Sequence, residues 1–439
     1  MSERMIIGVK EKPTKGKWLA LSFQHVFAMF GATILVPMAT GLPISVALFS
    51  SGVGTLIYIL CTKAKVPVYL GSSFAYIGVV AAVSGYAATG VGNYASAMTG
   101  LLAVGLIYVA ISVIIKFVGT GWLHKALPPV VIGPMIMIIG LGLSGVAVGS
   151  SGLQGGTWQQ IVTAVFAFLI VIVVAIKAKG FLRIIPFLCG IVGGYILAVI
   201  LGIVDFTNVV AVIQNPGSWF KIPEFMFLGW KDGSANVLGT EITFLKINFV
   251  AVLTIAPLAF VTAAEHIGDH AVLSKICGED FLTDPGLDKT LMGDGLATAF
   301  AAMIGGPANT TYGENTSVVG MTRVASVYVT GGAAVIAILL SFINLFTTLV
   351  ASIPGPVMGG MSIILYGFIA ANGLKVLIDN HVNLSSMRNI IIVASMLVLG
   401  LGNAILQFNQ FAVYGMSLAA IVGIILNFVL PEEKQKKKL

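Results

Sequence analysis

The chain has 439 residues, of which 57% are hydrophobic and only 9% are charged, and its mean hydropathy is +1.01. A soluble domain carries roughly a quarter charged residues, so this composition excludes a soluble globular protein. The three cysteines share no ligand-like spacing and suggest neither a disulfide framework nor a metal site. The net charge of +7 could suggest a nucleic-acid partner, but the distribution of the basic residues indicates membrane topology instead.

Apolar runs of about 20 residues recur along the whole chain, and each is long enough to cross ~30 Å of hydrocarbon. The sequence predicts fourteen membrane spans, at residues 18–39, 44–62, 67–83, 95–116, 129–149, 158–176, 183–204, 247–274, 289–306, 308–322, 324–351, 355–374, 389–407 and 411–430.

An even number of spans places both termini on one side of the membrane. If that side is the cytoplasm, it holds all 24 basic residues except Lys221, Lys231 and Lys246, as the positive-inside rule requires. No cleavable signal segment precedes the first span. We therefore expect a multi-pass protein of a bacterial-type cytoplasmic (inner) membrane, with cytosolic tails at residues 1–17 and 431–439.

The sequence also contains an internal repeat. GSSFAY (71–76) lies 241 residues before YGENTS (312–317), and the polar pair at 24–25 lies the same distance before the pair at 265–266.

The repeat divides the chain into residues 18–204 and 247–430, joined by an extracellular connection at 205–246. Each half holds seven predicted spans, an odd number, so the halves must have opposite orientations in the membrane. An inverted repeat of this kind is typical of secondary transporters.

The third and tenth spans are short and interrupted. YLGSSFAYIG (69–78) contains Gly71 and Gly78, and NTTYGENTS (309–317) contains Gly313 among side chains that favour turns. Irregular backbone survives in a membrane only where it faces protein or a cavity. Paired broken segments at matching positions of two halves therefore predict a binding site near the membrane midplane.

Four acidic residues within predicted spans need a reason, because a carboxylate at the centre of a membrane helix costs about 2.5–3.5 kcal/mol. Glu265 and Asp269 are four residues apart and share one helical face. Glu314 lies in the broken tenth span itself, which favours a functional role. Asp294, between two glycines soon after Lys289, fits a structural or interfacial role better.

Other polar and aromatic residues have two readings each. His25 and His266 occupy equivalent repeat positions, so at least one of them can simply brace the site. Phe74, Tyr76 and Tyr312 can stack on a flat ligand, although packing between helices is the commoner use of aromatic rings. Metal-ligand spacings, nucleotide-binding motifs and nucleophile–base pairs are missing from the sequence, so we expect no metal, no cofactor, no ATP-driven pump and no enzyme.

The candidate groups suit a particular ligand chemistry. Carboxylates accept hydrogen bonds from N–H donors, and the N-termini of broken helices donate to carbonyl oxygens. A planar ligand with alternating N–H and C=O groups, such as a nucleobase, satisfies both. A buried carboxylate can also bind a proton near neutral pH, which would couple uptake to the proton gradient.

Five segments together resemble the nucleobase–cation symporter (nucleobase–ascorbate transporter) family, and most closely its bacterial uracil permeases: QHVFAMFGAT (24–33), YLGSSFAYI (69–77), AEHIGDHAVLSKICG (264–278), NTTYGEN (309–315) and TRVASVYVTGGAA (322–334). The resemblance covers essentially the whole chain. It implies an all-α polytopic fold with fourteen transmembrane segments in two inverted seven-span repeats, a core domain and a gate domain. It also implies short antiparallel strands in spans three and ten, proton symport, and a homodimer.

The resemblance further implies roles for individual residues. Glu265 would bind the uracil edge and Glu314 a ring N–H, while the backbone N–H groups of Phe74 and Gly313 would meet the carbonyls. Some relatives have a histidine tied to proton coupling where this chain has Asp269. At this position the chain departs from the pattern of those relatives, so the resemblance implies a coupling role for Asp269 less directly than it implies the other roles. The other expected site residues are Ser73 and Tyr312 for substrate binding, Asp269 and His266 beside Glu265 for proton coupling, and Gln24, His25 and Asn315 as supporting residues.

Two alternatives stay open at this point. A xanthine or urate permease would have the same fold, although purine-type relatives usually have glutamine at the position of Glu314. An anion transporter of related architecture is a remoter alternative, because two acidic residues would repel an anion unless they were protonated.

Overall fold

The computed structural model describes residues 5–86, 90, 92–229, 233–237, 240–408 and 411–431, and most of them are helical. The helices are α1 (Lys15–Thr40), α2 (Ile44–Cys61), α3 (Ile77–Val83), α4 (Ala95–Val118), α5 (Gly121–Ala126), α6 (Pro129–Gly142), α7 (Ser144–Ser150), α8 (Trp158–Lys177), α9 (Pro186–Ile200), α10 (Thr207–Gln214), α11 (Phe249–Ile255), α12 (Leu258–Cys277), α13 (Leu287–Met303), α14 (Gly313–Thr322), α15 (Val327–Ser341), α16 (Asn344–Ala351), α17 (Gly355–Asp379), α18 (Met387–Leu401) and α19 (Gly415–Val429).

Short strands form three small sheets. The antiparallel pairing expected in the two broken spans is present, with Gly71 opposite Thr310 at the centre of a three-residue ladder. The other two sheets, in the connection between the halves and before α19, were not expected from the sequence. The strands are β1 (Leu70–Ser72), β2 (Met226–Gly229), β3 (Gly233–Val237), β4 (Thr240–Lys246), β5 (Asn309–Thr311), β6 (Ile405–Phe408) and β7 (Phe411–Tyr414).

The unexpected β6–β7 hairpin shortens the thirteenth predicted span. The span was predicted to reach residue 407, but α18 ends at Leu401, and Asn403 adopts a left-handed conformation with φ 49°. The residues that follow, ILQF and FAVY, are rich in the aromatic and β-branched types that favour strands. Apolar composition alone therefore could not separate the end of this helix from a hairpin.

The helix lengths identify a multi-pass membrane protein. Among the described residues, six helical segments are long and apolar enough to cross a membrane, and α11 with α12, bent by 42°, forms a seventh. Five shorter apolar helices, together with α13 and the β5–α14 segment, overlap the remaining predicted ranges.

The helices pack into two bundles. The first bundle contains α1–α4 with α11–α16, and the second bundle contains α6–α9 with α17–α19. Contacts between the bundles come mainly from α12, which touches α6 and α19, and from α1, which touches α9.

The order of elements from α1 to α9 recurs from α12 to α19, with β1–α3 in the place of β5–α14. Contacts between the halves are reciprocal. Helix α2 packs on α15 and α4 on α13, while β1 pairs with β5 and α6 packs on α17.

The outer edges of the β1–β5 pair are closed by side chains. Ser51 Oγ donates to the Leu70 carbonyl at 2.7 Å, and Thr55 Oγ1 accepts from the Leu70 N–H at 2.9 Å. On the other strand, Thr298 Oγ1 donates to the Asn309 carbonyl at 2.9 Å. Hydroxyls from α2 and α13 therefore replace the missing strand neighbours, which is necessary because an unpaired backbone group inside a membrane costs several kcal/mol.

The N-terminal segment is bound to the first bundle. The Ala325 N–H donates to the Ile7 carbonyl at 2.9 Å, and the Val327 N–H donates to the Val9 carbonyl at 3.0 Å. Val9 is buried among residues of α2, β1 and α15. Much of the predicted cytosolic tail is thus packed against the α14–α15 connection, while residues 1–4 and 432–439 of the two predicted tails lie outside the described residues.

We expect Gly71→Ala to lower stability, because a Cβ at this position would lie 2.3 Å from a ring carbon of Tyr312. Overpacking of this kind typically costs about 1–3 kcal/mol. The measurement is the melting temperature of the detergent-solubilised protein. Gly145→Ala is the control, since a Cβ there meets nothing within 4 Å. Equal melting temperatures for the two variants would contradict the close approach of Tyr312 to β1.

Candidate functional site

Three carboxylates from two helices lie beside the β1–β5 pair. Glu265 and Asp269 lie one turn apart on α12, and Glu314 lies in the first turn of α14; all three are partly buried. Thr311 of β5 donates its hydroxyl to Asp269 Oδ2 at 2.9 Å. This bond ties the α12 carboxylates to the strand that leads into Glu314.

Each strand of the pair leads directly into a helix N-terminus. After β1, a turn of 3₁₀ helix begins at Phe74 and continues into α3; after β5, α14 begins at Gly313. The first N–H groups of a helix have no intrahelical acceptor and carry a partial positive charge. The site therefore offers backbone donors on two segments, with Glu314 placed at one of them.

Open space borders the backbone of three segments at the site. A Cβ atom placed on Gly78, Gly268 or Gly313 meets no heavy atom within 4 Å. Gly268 lies between the two α12 carboxylates, and Gly313 directly precedes the α14 carboxylate. No side chain therefore fills the space directly beside the backbone at these glycines.

Two buried hydroxyls near the strand pair have no hydrogen-bond partner among the described residues. They are Ser73 Oγ, directly after β1, and Thr310 Oγ1, in the middle of β5. Buried polar groups are normally hydrogen-bonded. Ser73 Oγ and Thr310 Oγ1 therefore lack, among the described residues, the partner that a buried hydroxyl normally has.

The aromatic rings of the site mostly contact one another. Phe74 and Tyr312 are nearly parallel, with centroids 6.5 Å apart and 10° between planes, and Tyr366 meets Phe74 edge-on at 6.1 Å. The Tyr312 hydroxyl donates to the Ser72 carbonyl at 2.9 Å, while the Tyr76 hydroxyl bonds Thr262 at 2.8 Å. Both hydroxyls therefore hold the broken segments in place.

The supporting residues named from the sequence separate in the structure. Asn315 Nδ2 lies 3.0 Å from His25 Nδ1 and 3.1 Å from the His25 carbonyl, which joins α1 to the first turn of α14. Gln24 is not part of this contact. It is partly buried and lines a separate cavity between the bundles.

His266 forms a buried cluster on the other side of α12. Its Nδ1 lies 2.6 Å from Asp294 Oδ2 and its Nε2 lies 3.0 Å from Thr290 Oγ1, both on α13. His270 stacks on the His266 ring at 3.9 Å, and its Nε2 lies 2.5 Å from the Tyr58 hydroxyl. Both nitrogens of His266 are thus engaged within the protein.

Sequence reasoning missed Thr311, Tyr58 and Thr290. Tyr58 and Thr290 are isolated hydroxyl residues in apolar spans, and Thr311 is one of several polar residues in NTTYGENTS. Only the tertiary structure brings the three to their partners. Asp294 did carry a signal, as an acid between two glycines, and the structure places its Oδ2 against His266 Nδ1.

Among the described residues, no cationic side chain is paired with the carboxylates of the site. Within the described residues, no lysine or arginine forms an ion pair with Glu265, Asp269 or Glu314. Nor does any group of His, Cys, Asp and Glu in that part of the chain have the arrangement of a metal site. Acceptors without a fixed cation favour a neutral ligand with N–H donors, or a mobile proton.

Comparisons with known proteins agree with this chemistry. Residues 16–408 match the model of a permease family, Xan_ur_permease. The uracil permease of Bacillus subtilis (strain 168) is 45% identical over 100% of this chain and 98% of its own length. The uracil permease of Bacillus caldolyticus is also 45% identical, over 98% of this chain and 96% of its own length.

Among solved structures, the transmembrane domain of a cyanobacterial bicarbonate transporter, BicA, has the same fold. The TM-score is 0.58 at 15% sequence identity, over 95% of this chain and 98% of that chain. A likeness this distant in sequence extends to the fold and not to the ligand. The match across nearly the whole length to the family and to its curated relatives shows that this chain belongs to the Xan_ur_permease family of membrane permeases.

Proposed function

We propose that the protein takes up uracil together with protons across the cytoplasmic membrane by alternating access. The proposal rests on one observation: Glu265, Glu314 and the N-termini of two helices all lie at the β1–β5 pair. Relatives at 45% identity that are named uracil permease point to the same ligand.

Uracil has two ring N–H donors and two carbonyl acceptors that alternate around one edge. Glu265 and Glu314 would accept from the N–H groups, and the backbone N–H groups at Phe74 and Gly313 would donate to the carbonyls. The unpartnered hydroxyl of Ser73 supplies one further donor. Because an ionised carboxylate can accept hydrogen bonds but cannot donate them, the same groups disfavour a ligand without N–H donors.

Proton coupling is proposed for the α12 pair. Glu265 and Asp269 are one turn apart with no cation beside them, and two carboxylates at this spacing ionise together only with difficulty in a low dielectric. One shared proton that moves with uracil would relieve the repulsion. Because both nitrogens of His266 are occupied, its part would be indirect, through Asp294.

The architecture supports a moving-domain mechanism. The first bundle, which carries the site, would be the core domain, and the second bundle the gate domain. The reciprocal contacts between the halves support two inverted repeats of seven spans, with both termini in the cytoplasm and residues 205–246 outside. A homodimer and a surrounding lipid bilayer are proposed as partners, with no nucleic acid.

Uracil accumulation should be saturable and should stop when a protonophore collapses the proton gradient. The physical reason is that the site contains titratable carboxylates and no group that could use ATP. The measurement is uptake of radiolabelled uracil into proteoliposomes with imposed pH and sodium gradients. Accumulation that persists without a proton gradient would contradict symport.

Glu265→Ala and Glu314→Ala should each weaken uracil binding by roughly tenfold to a hundredfold, the equivalent of ~1.5–3 kcal/mol for a hydrogen bond to a charged group. Binding to the purified protein by calorimetry is the measurement. Glu224→Ala is the matched control, because this carboxylate lies in the exposed connection and, among the described residues, forms an ion pair only with Lys221.

Glu314→Gln should be milder than the alanine variant, since the amide oxygen still accepts a hydrogen bond. It should also let purines compete weakly, because glutamine is the usual residue of the purine-type relatives. Wild-type uracil affinity in an alanine variant would remove that residue from the site.

Asp269→Asn should leave uracil binding largely intact and flatten the pH dependence of uptake. The amide oxygen can still accept from Thr311, but it binds no proton. Exchange of internal for external uracil should survive better than accumulation, because exchange needs no net proton release.

Thr311→Val tests whether the hydrogen bond to Asp269, and not its proton, determines the pH dependence. It removes the hydroxyl bonded to Asp269 and keeps the titratable carboxylate. It should retain the pH dependence. An unchanged pH profile in Asp269→Asn would instead make Asp269 structural and leave the proton on Glu265.

A further inference from the structure

A cavity of about 710 Å³ lies between the two bundles, away from the carboxylate site. Its wall from the first bundle comes from α1 and from the last turn of α14. Its wall from the second bundle is the 3₁₀ turn at Gly180–Ile184, between α8 and α9. The lining includes Gln24, Phe27, Phe181, Arg183 and Thr322.

Two helices, α14 and α1, connect the lining of the cavity to the carboxylate site. Along α14, Thr322 lies eight residues beyond Glu314, a rise of about 12 Å. Along α1, Gln24 directly precedes His25, which bonds Asn315 in the first turn of α14. The same end of the molecule carries the basic residues at the start of α1 and the end of α8, so in the proposed orientation the cavity opens toward the cytoplasm.

Two of the polar side chains that line the cavity have no partner among the described residues, whereas the Thr322 hydroxyl donates to the Val318 carbonyl at 2.7 Å. Within the described part of the chain, neither the Gln24 amide nor the Arg183 guanidinium has a hydrogen-bond or ion-pair partner, although both line the cavity. An amide presents one acceptor beside two donors, and a guanidinium presents only donors. Together they match the N–H and C=O groups along one edge of a cyclic imide.

The aromatic groups fit the same ligand. Phe27 and Phe181 meet edge to face across the boundary between the bundles, with centroids 6.2 Å apart at 62°. They are 39% and 42% exposed, so part of each ring is uncovered. A flat heterocycle can pack on such surface at little conformational cost, because the rings have few rotatable bonds.

We propose that this cavity is a second, weaker uracil site, occupied in transit between the carboxylate site and the cytoplasm. Gln24 and Arg183 hold the imide edge, and the Phe27–Phe181 contact closes the path between the bundles when the cavity is empty. The inference rests on the proposed uracil transport and adds to it the residues that govern release.

The first experiment separates binding from transport. Arg183→Gln and Gln24→Leu should each lower the maximal rate of uracil uptake roughly tenfold, the loss expected for one hydrogen bond on the path. The affinity of the purified protein for uracil at the carboxylate site should change less than twofold. Lys179→Gln is the matched control, because it removes a charge from the same connector outside the cavity, and it should change neither quantity.

The second experiment detects occupancy directly and does not depend on transport. Thr322→Cys, in a background without Cys61, Cys189 and Cys277, is labelled by a maleimide in inside-out vesicles. Millimolar uracil should slow the labelling at least threefold even when Glu265 and Glu314 are both replaced by alanine. Adding Arg183→Gln should remove that protection.

The outcomes are distinct. If wild-type protein neither binds nor carries uracil, the proposed function fails. If it carries uracil but Arg183→Gln matches wild type in rate, or loses affinity as much as rate, the second site is refuted. Uracil could also slow the labelling of Thr322→Cys only when Glu265 and Glu314 are intact. Uracil would then act only from the carboxylate site, and the inference would be overturned.

Discussion

The pairing of β1 with β5 is the interaction on which the site depends. A membrane interior provides no water to satisfy backbone groups, so a helix can stop there only if another protein group accepts its unpaired donors and acceptors. Three residues from each half do this for each other, and hydroxyls of Ser51, Thr55 and Thr298 close the outer edges. Two helices can then begin at mid-depth, and their N-termini become available to a ligand.

The pattern in the sequence predicted the elements better than their contacts. Apolar runs, the repeat offset and the acidic residues within spans located both broken spans and the long apolar helices. The short helices α5 and α10 lie in stretches that were predicted as connections. The short hairpin at β6–β7 was missed because its residues are as apolar as a helix end. The Thr311–Asp269 bond and the His266–Asp294 pair could not be foreseen, since each joins residues whose proximity is set only when α12, α13 and β5 have packed.

The buried pair of His266 with Asp294 has a consequence for the face of α12 that bears Glu265. Removing one member of such a pair leaves the other polar group buried without a partner, which is strongly destabilising. The pair thus fixes α12 against α13 with little freedom of rotation. Since Glu265 is the residue before His266, its direction toward the strand pair is set by a contact on another face of the same helix.

The division of the site residues between the two bundles affects how the site could open to one side of the membrane and then to the other. Glu265, Asp269 and Glu314, and both helix N-termini, belong to the first bundle, so their mutual geometry does not depend on how the bundles sit together. From the second bundle, Tyr366 reaches the site by its edge contact with Phe74. A contact through one ring edge is weak compared with the hydrogen bonds that hold the strand pair. Relative movement of the bundles can therefore break the Tyr366 contact and open a path while the binding geometry stays intact.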